Sequence, residues 1–257
     1  MSAARLVGLL LGLLGLLLWS GTPARATPPL RLLVTTGSIP PFADISQGSN
    51  DERLLGGIIQ DWGQALAERL GREPQFLLVP ARRVGQQLRE GGFDVQCFEN
   101  RQWYSREDEA FIDWLPQPLM EVVEVLVSMR GTPPVRQLDQ LKERTIGVVN
   151  GYRYPLLDPL FEARQLRRST AHNEMRLLQM QQLGRADYSV ISLLQLEHAR
   201  LRDPRLRALV VSPLEVSRTA LFCLRQRQSP ISRAKLAAAQ QALLAEGRLE
   251  AILRRYR

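Results

Sequence analysis

Four shortages in this 257-residue sequence each remove a class of function. Cysteine occurs only at Cys97 and Cys223, and histidine only at His172 and His198. Residues so scattered do not form the clustered ligand set of a zinc site, and no metal or other cofactor is expected. Lysine occurs only at Lys142 and Lys235, so the formal net charge of +8 is carried by arginine. Those arginines form no long basic block, which leaves nucleic acid without a footing and makes a solvated basic surface the simpler reading. Beyond the first 26 residues no stretch is apolar enough to span a bilayer. Tandem repeats and low-complexity tracts are absent as well.

The first 26 residues read as an export leader. Arg5 supplies a positive start, Leu6 to Trp19 is a compact apolar run, and Ala24-Arg25-Ala26 offers small residues where a signal peptidase cuts. The run is shorter than the ~20 residues a membrane span needs, and Pro23 interrupts it. No cysteine lies near the cut, so no lipid anchor is expected. Cleavage near Ala26 leaves 231 of the 257 residues, with a charge of +6 once Arg5 and Arg25 are gone. The mature chain is expected to be soluble and periplasmic. That compartment permits disulfides. Cys97 and Cys223 sit in strand-like runs, and the residues alone leave open whether they are buried thiols or a bridge.

The mature chain alternates strand and helix patterns. Leu30 to Thr36 reads as a buried strand ending in Gly37-Ser38-Ile39-Pro40-Pro41-Phe42, a loop whose prolines stop helix and ladder alike. Leu54 to Leu70 carries apolar residues at helical spacing, with Gly71 as its stop. Gln75 to Val79 and Phe93 to Phe98 read as strands around a short helix, Val84 to Glu90. The rhythm then repeats. Strands are expected at Met120 to Met129, Thr145 to Val149, Asp187 to Ile191 and, briefly, Ala208 to Val211. Helices are expected from about Pro155, over Asn173 to Leu183 with Met175, Leu178 and Leu183 on one side, and from Ser192 to Leu201. Two more close the chain, over Ser232 to Glu246 and Arg248 to Tyr256. Such alternation predicts an α/β fold with parallel sheets.

Seven stretches, in order, resemble the bacterial extracellular solute-binding proteins of family 3, the periplasmic polar amino acid-binding type. They are the Leu30 to Phe42 loop, Gly57-Ile58-Ile59-Gln60-Asp61, the set Arg83, Leu88, Gly91 and Asp94, and Asp113 to Pro118. Leu138 to Tyr154, Gly184-Arg185-Ala186-Asp187 and Glu246-Gly247-Arg248-Leu249 complete the series. The resemblance implies a two-lobed type 2 periplasmic binding protein fold, each lobe a mostly parallel sheet flanked by helices, with two crossover strands as hinge. Residues 27–122 and 217–257 would form the first lobe and 123–216 the second. It also implies that the strands holding Cys97 and Cys223 lie close together, which favours the possible disulfide.

Ligands of open parallel sheets sit beyond the carboxyl ends of the strands. That rule selects Ser38 and Phe42 after the first strand, and Asn100, Arg101 and Trp103 after the third. In the second lobe it selects Gly151, Tyr152 and Arg153, ahead of a helix whose dipole would favour an anion; the resemblance, not the rule, adds Ser192. Packing is an equal account of Phe42 and the leading account of Trp103, and plain solvation is the leading account of Arg101 and Arg153. The resemblance is broken where it concerns the ligand. An arginine that clamps an α-carboxylate in the family falls at Asp108 here, and the acid that holds the ammonium falls at Ser192. The expected function is capture of a small polar or anionic solute, amino acid-like or an organic acid. A monomer would deliver it to an inner-membrane ABC permease or a sensor without catalysing a reaction. The alternatives are an enzyme of the cyclic-acid dehydratase type using Glu99 and Asp108, and a degenerate member acting as an interaction partner.

Overall fold

The computed structural model describes residues 27–46 and 52–257, and the leader expected over residues 1–26 lies outside the described residues. Strand β1 (Leu30–Thr35) buries Leu30, Leu32, Leu33 and Val34, the continuous apolar run of a strand covered on both faces. After the Pro40–Pro41 loop comes a hairpin of β2 (Asp44–Ile45) and β3 (Leu54–Gly56). Helix α1 (Ile58–Arg69) therefore starts later than the helix expected from Leu54. Leu54 and Leu55 fit the helical period, yet both lie in β3 and Leu55 is exposed. Gly57 sets the boundary. Its φ is +119°, and a Cβ there would stand 2.5 Å from the Phe42 carbonyl oxygen. This close approach lets the Pro41 and Phe42 carbonyls accept from the amides of Ile58 and Ile59, both at 2.9 Å. The loop thus caps the helix.

The remaining elements of the first half are β4 (Pro74–Val79), α2 (Val84–Glu90), β5 (Val95–Glu99), α3 (Arg106–Glu109), β6 (Ile112–Trp114) and β7 (Met120–Met129). The second half holds β8 (Thr145–Val149), α4 (Asp158–Glu162), β9 (Arg167–Ala171), α5 (Glu174–Gln182), β10 (Tyr188–Ser192) and α6 (Leu193–Arg202). It closes with β11 (Leu209–Gln226), α7 (Arg233–Ala245) and α8 (Arg248–Leu253). Three sequence expectations change. Helix α5 buries Leu177, Leu178 and Gln181, whereas Met175 and Leu183 are exposed. The polar strand β9 has no apolar signature because it lies at the sheet edge. The short strand expected at Ala208 to Val211 continues for 18 residues as β11, with irregular pairing between Val211 and Glu215 that accommodates Pro213.

Strand order is β4-β1-β5-β11-β7-β10-β8-β9, with β6 also on β11. The flanking sets β4-β1-β5 and β10-β8-β9 are parallel, and the central strands β11 and β7 are antiparallel to their neighbours. This is the expected α/β architecture, two mostly parallel sheets joined by two crossover strands. The largest core cluster packs α1, α7 and α8 on one sheet around the fully buried Trp62. Separate clusters around Leu126 and Val127 fill the two faces of the other.

Cys97 on β5 and Cys223 on β11 are cross-strand partners and form a disulfide that links positions 126 residues apart. Asp94, just before β5, is 1% exposed and accepts bonds from the Arg31 amide, the Arg31 guanidinium and the Ser229 hydroxyl. Burial alone would push its pKa up, but these hydrogen bonds together hold it below the usual carboxylate range.

Candidate functional site

The strand register defines a cleft. Strand β5 runs toward Glu99, which pairs with Phe222 of β11. Strand β10 runs the opposite way toward Ser192, which pairs with Glu124 of β7, itself paired with Ser217 of β11. The carboxyl ends of the two sheets therefore face each other across residues 217–222 of β11. That separation is about 17 Å of strand at ~3.3 Å per residue. It is where open α/β sheets hold ligands.

On the first rim, Ser38 closes a turn by donating its amide to the Thr35 carbonyl at 3.0 Å. Phe42 meets Phe98 edge-on, with ring centroids 5.8 Å apart. Phe98 itself has φ +66°, a conformation that a bulky residue holds only under constraint from its surroundings. The disulfide at the preceding residue and the Phe42 contact supply that constraint. Asn100 accepts from the Gln102 amide at 2.9 Å and donates to the Ala220 carbonyl at 2.8 Å, tying the rim to the crossover strand. Arg101 places its guanidinium carbon 5.6 Å from the centre of the Trp114 ring. Trp103 is 60% exposed.

On the second rim, Gly151 turns the chain with φ +83°. Tyr152 is half exposed, and its ring lies 6.5 Å from that of the buried Tyr154. Arg153 is exposed and makes no ion pair among the described residues. The Ser192 hydroxyl accepts from the Gln195 amide at 3.2 Å and caps α6. All nine sequence-selected residues thus lie in the loops and strand ends around the cleft. The anion-favouring helix expected from about Pro155 is different in the structure. Helix α4 begins at Asp158, runs for five residues, and has the Asp158 carboxylate bonded to the Tyr154 amide at its start.

Sequence reasoning missed most of the cleft's charge. The sequence marks Glu99 only as part of the charged stretch after the third strand and as a candidate acid, and it does not mark Glu124 or Glu174. The Glu99 carboxylate accepts from the Gln96 amide at 2.6 Å, and burial pushes its pKa up to about 7. Glu124 accepts from the Ser217 hydroxyl at 2.6 Å. Burial raises its pKa, with the nearby Glu174 adding to the effect. Glu174 is 7% exposed in the first turn of α5, where the helix dipole favours an acid. Burial and this carboxylate push the Tyr152 hydroxyl upward. None of the three acids has an ion-pair partner among the described residues. A signal for Glu124 was present, one charge inside the apolar run Val122 to Val127. By register Glu124 pairs with Ser192 of β10.

Asp108 is occupied elsewhere. It closes a capping box with Ser105 at the start of α3 and stands 3.8 Å from Arg89. The arrangement therefore offers carboxylates, amide and aromatic surface to whatever enters, with Arg101 and Arg153 exposed on the rims. No group of acids, histidines and cysteines among the described residues could hold a metal ion.

No protein-family model and no curated protein matches the sequence. Solved structures do. The chain is similar to the GluR0 ligand-binding core in complex with L-glutamate, at 18% identity over 90% of this chain and 99% of that one, with a TM-score of 0.68. It is similar to a histidine kinase sensor domain with similarity to periplasmic binding proteins, at 20% identity, 89% and 95% coverage and a TM-score of 0.66. It is also similar to an ancestral amino acid-binding protein described as a precursor of cyclohexadienyl dehydratase, at 18% identity, 89% and 94% coverage and a TM-score of 0.63. At these identities the likeness establishes the two-lobed periplasmic binding protein fold.

Proposed function

We propose that the chain is an exported solute-binding protein of the family 3 type, working in the periplasm and closing its two lobes over a small polar solute. The carrying observation is the opposition of the two sets of strand ends across β7 and β11, with polar and aromatic side chains on both rims. The lobes are taken as residues 27–122 with 217–257, and residues 123–216. Closure couples ligand contacts to a two-state equilibrium, because contacts made only when both rims meet favour the closed form. The bound form would be read by an inner-membrane ABC permease or by a sensor. The sensor option draws support from the likeness to a sensor domain. No helix among the described residues is long and apolar enough to cross a membrane. A thermal-shift screen of amino acids, organic acids and amines tests the reading. A solute at a hundred times its Kd stabilises by about 2.7 kcal/mol, an easily read rise in Tm. No rise with any of them counts against it.

One observation favours a second reading. A partly buried carboxyl titrating near pH 7, as Glu99 does, suits a general acid or base. In an enzyme of the cyclic-acid dehydratase type, Glu99→Gln would abolish turnover while substrate still bound. In a binding protein the same variant changes affinity alone.

A further inference from the structure

We infer that the cleft is built for an organic amine that carries no carboxylate, such as an α,ω-diamine. The inference rests on the solute-binding reading above and names the class of solute. Glu99 stands on one side of the cleft, and Glu124 with Glu174 on the other, five residues apart along β11 by register. A ligand with one ammonium at each end meets a carboxylate at each pole.

Acids alone would not make this a site, and a second observation points to a ligand. Gln96 is 2% exposed and lies against Glu99, yet its side-chain oxygen has no hydrogen-bond partner. The Tyr104 phenol lies beside the Glu99 carboxylate on the same side. Buried polar atoms are seldom left unpaired, and an ammonium, with three donors, satisfies a carboxylate and an amide oxygen together. Aromatic surface is present at both poles, Trp103 and Tyr104 on one and Tyr152 on the other, and ring faces attract cations.

A carboxylate on the ligand, by contrast, finds little to receive it. Arg101 and Arg153 are the arginines of the two rim loops. Both are exposed, and Arg101 is placed over Trp114. The helix starts at the rim are already capped, by the side chains of Asn100, Asn173 and Ser192, and Glu174 adds negative charge at one of them.

Isothermal titration of the full mature protein with 1,4-diaminobutane, 1,5-diaminopentane, lysine, arginine, glutamate and citrate tests the class. The diamines are expected to bind at least tenfold tighter than lysine, which differs from 1,5-diaminopentane by one carboxylate. Glutamate and citrate are expected not to bind. Glu124→Gln and Glu174→Gln should each weaken diamine binding at least tenfold. Should either variant fail to fold, the unmodified protein carries the test. At pH 7 its diamine binding should release protons as Glu99 ionises, read as a heat that changes with the buffer's ionisation enthalpy. Tighter binding of lysine, arginine, glutamate or citrate than of the diamines overturns the inference and leaves the solute-binding reading intact. Binding of none of the six, with solutes outside the panel still raising the Tm, overturns the inference alone. Binding of no solute at all overturns both.

Discussion

Glu124 and Ser217 face each other across the two crossover strands, with the Ser217 hydroxyl donating a 2.6 Å hydrogen bond to the Glu124 carboxylate. The pair sits where the second sheet ends and the cleft begins, so one contact joins the hinge to the site. Glu124 has no cation partner among the described residues, and Ser217 is the one hydrogen-bond donor identified for its carboxylate.

Removing that donor should therefore be felt most when Glu124 is ionised. Ser217→Ala is expected to destabilise the protein by about 1–3 kcal/mol at pH 8. At pH 5 the cost should be smaller, because burial raises the Glu124 pKa and the neutral carboxyl needs the bond less. Urea denaturation at the two pH values reads the difference.

Glu99 should impose a pH dependence of its own. Its carboxyl titrates near pH 7 when folded, against an ordinary value of 4.5. Below pH 4.5 it is protonated in both states and its contribution is complete. As pH rises toward 7 the unfolded chain ionises first, and stability falls by up to roughly 3 kcal/mol before levelling. Glu99→Gln should erase this slope, leaving the variant more stable than the parent at pH 8 and equal to it at pH 4. Differential scanning calorimetry of both proteins across that range checks the sign.

The disulfide should matter for folding rather than for ligand contact. Closing a loop of 126 residues removes chain entropy worth roughly 5 kcal/mol in the unfolded state, and native bridges typically contribute about 2–5 kcal/mol. Cys97→Ser with Cys223→Ser should lower stability within that range. Equilibrium unfolding without reductant measures it.

Asp94 carries a family-like motif position, yet its role here is structural. Asp94→Asn should cost about 3 kcal/mol, since it removes the partner of Arg31 and unsettles the Ser229 contact. Its native pKa is depressed, so the stability it contributes is present above its unfolded pKa and is lost as pH falls through the folded value. The variant's deficit should accordingly shrink in acid.

The fold was legible because its signals are local. The apolar run of β1, the stop at Gly71 and the Gly91-Gly92 break between α2 and β5 each mark an element from a few neighbouring residues. Elements set by tertiary context were not. Strand β9 is polar because it is an edge, and Leu55 fits a helical stripe yet lies in a hairpin strand. Pro213 looks like an end to β11, and only the pairing irregularity around it lets the strand continue. The rims of the cleft could be located from strand ends alone. Its charge could not, because Glu99, Glu124 and Glu174 come from three separate elements, β5, β7 and α5, and only the tertiary fold brings them to the two sides of the cleft.

Closure on a solute is the central claim, and the distance between the lobes measures it directly. Spin labels at Arg106→Cys and His172→Cys, exposed positions on opposite rims, leave the native disulfide untouched. Double electron–electron resonance should give a long, broad distance without solute. Adding the tightest ligand from the screens should shorten and sharpen it. A distance that stays the same with every solute that binds, or with all of them because none binds, contradicts the account.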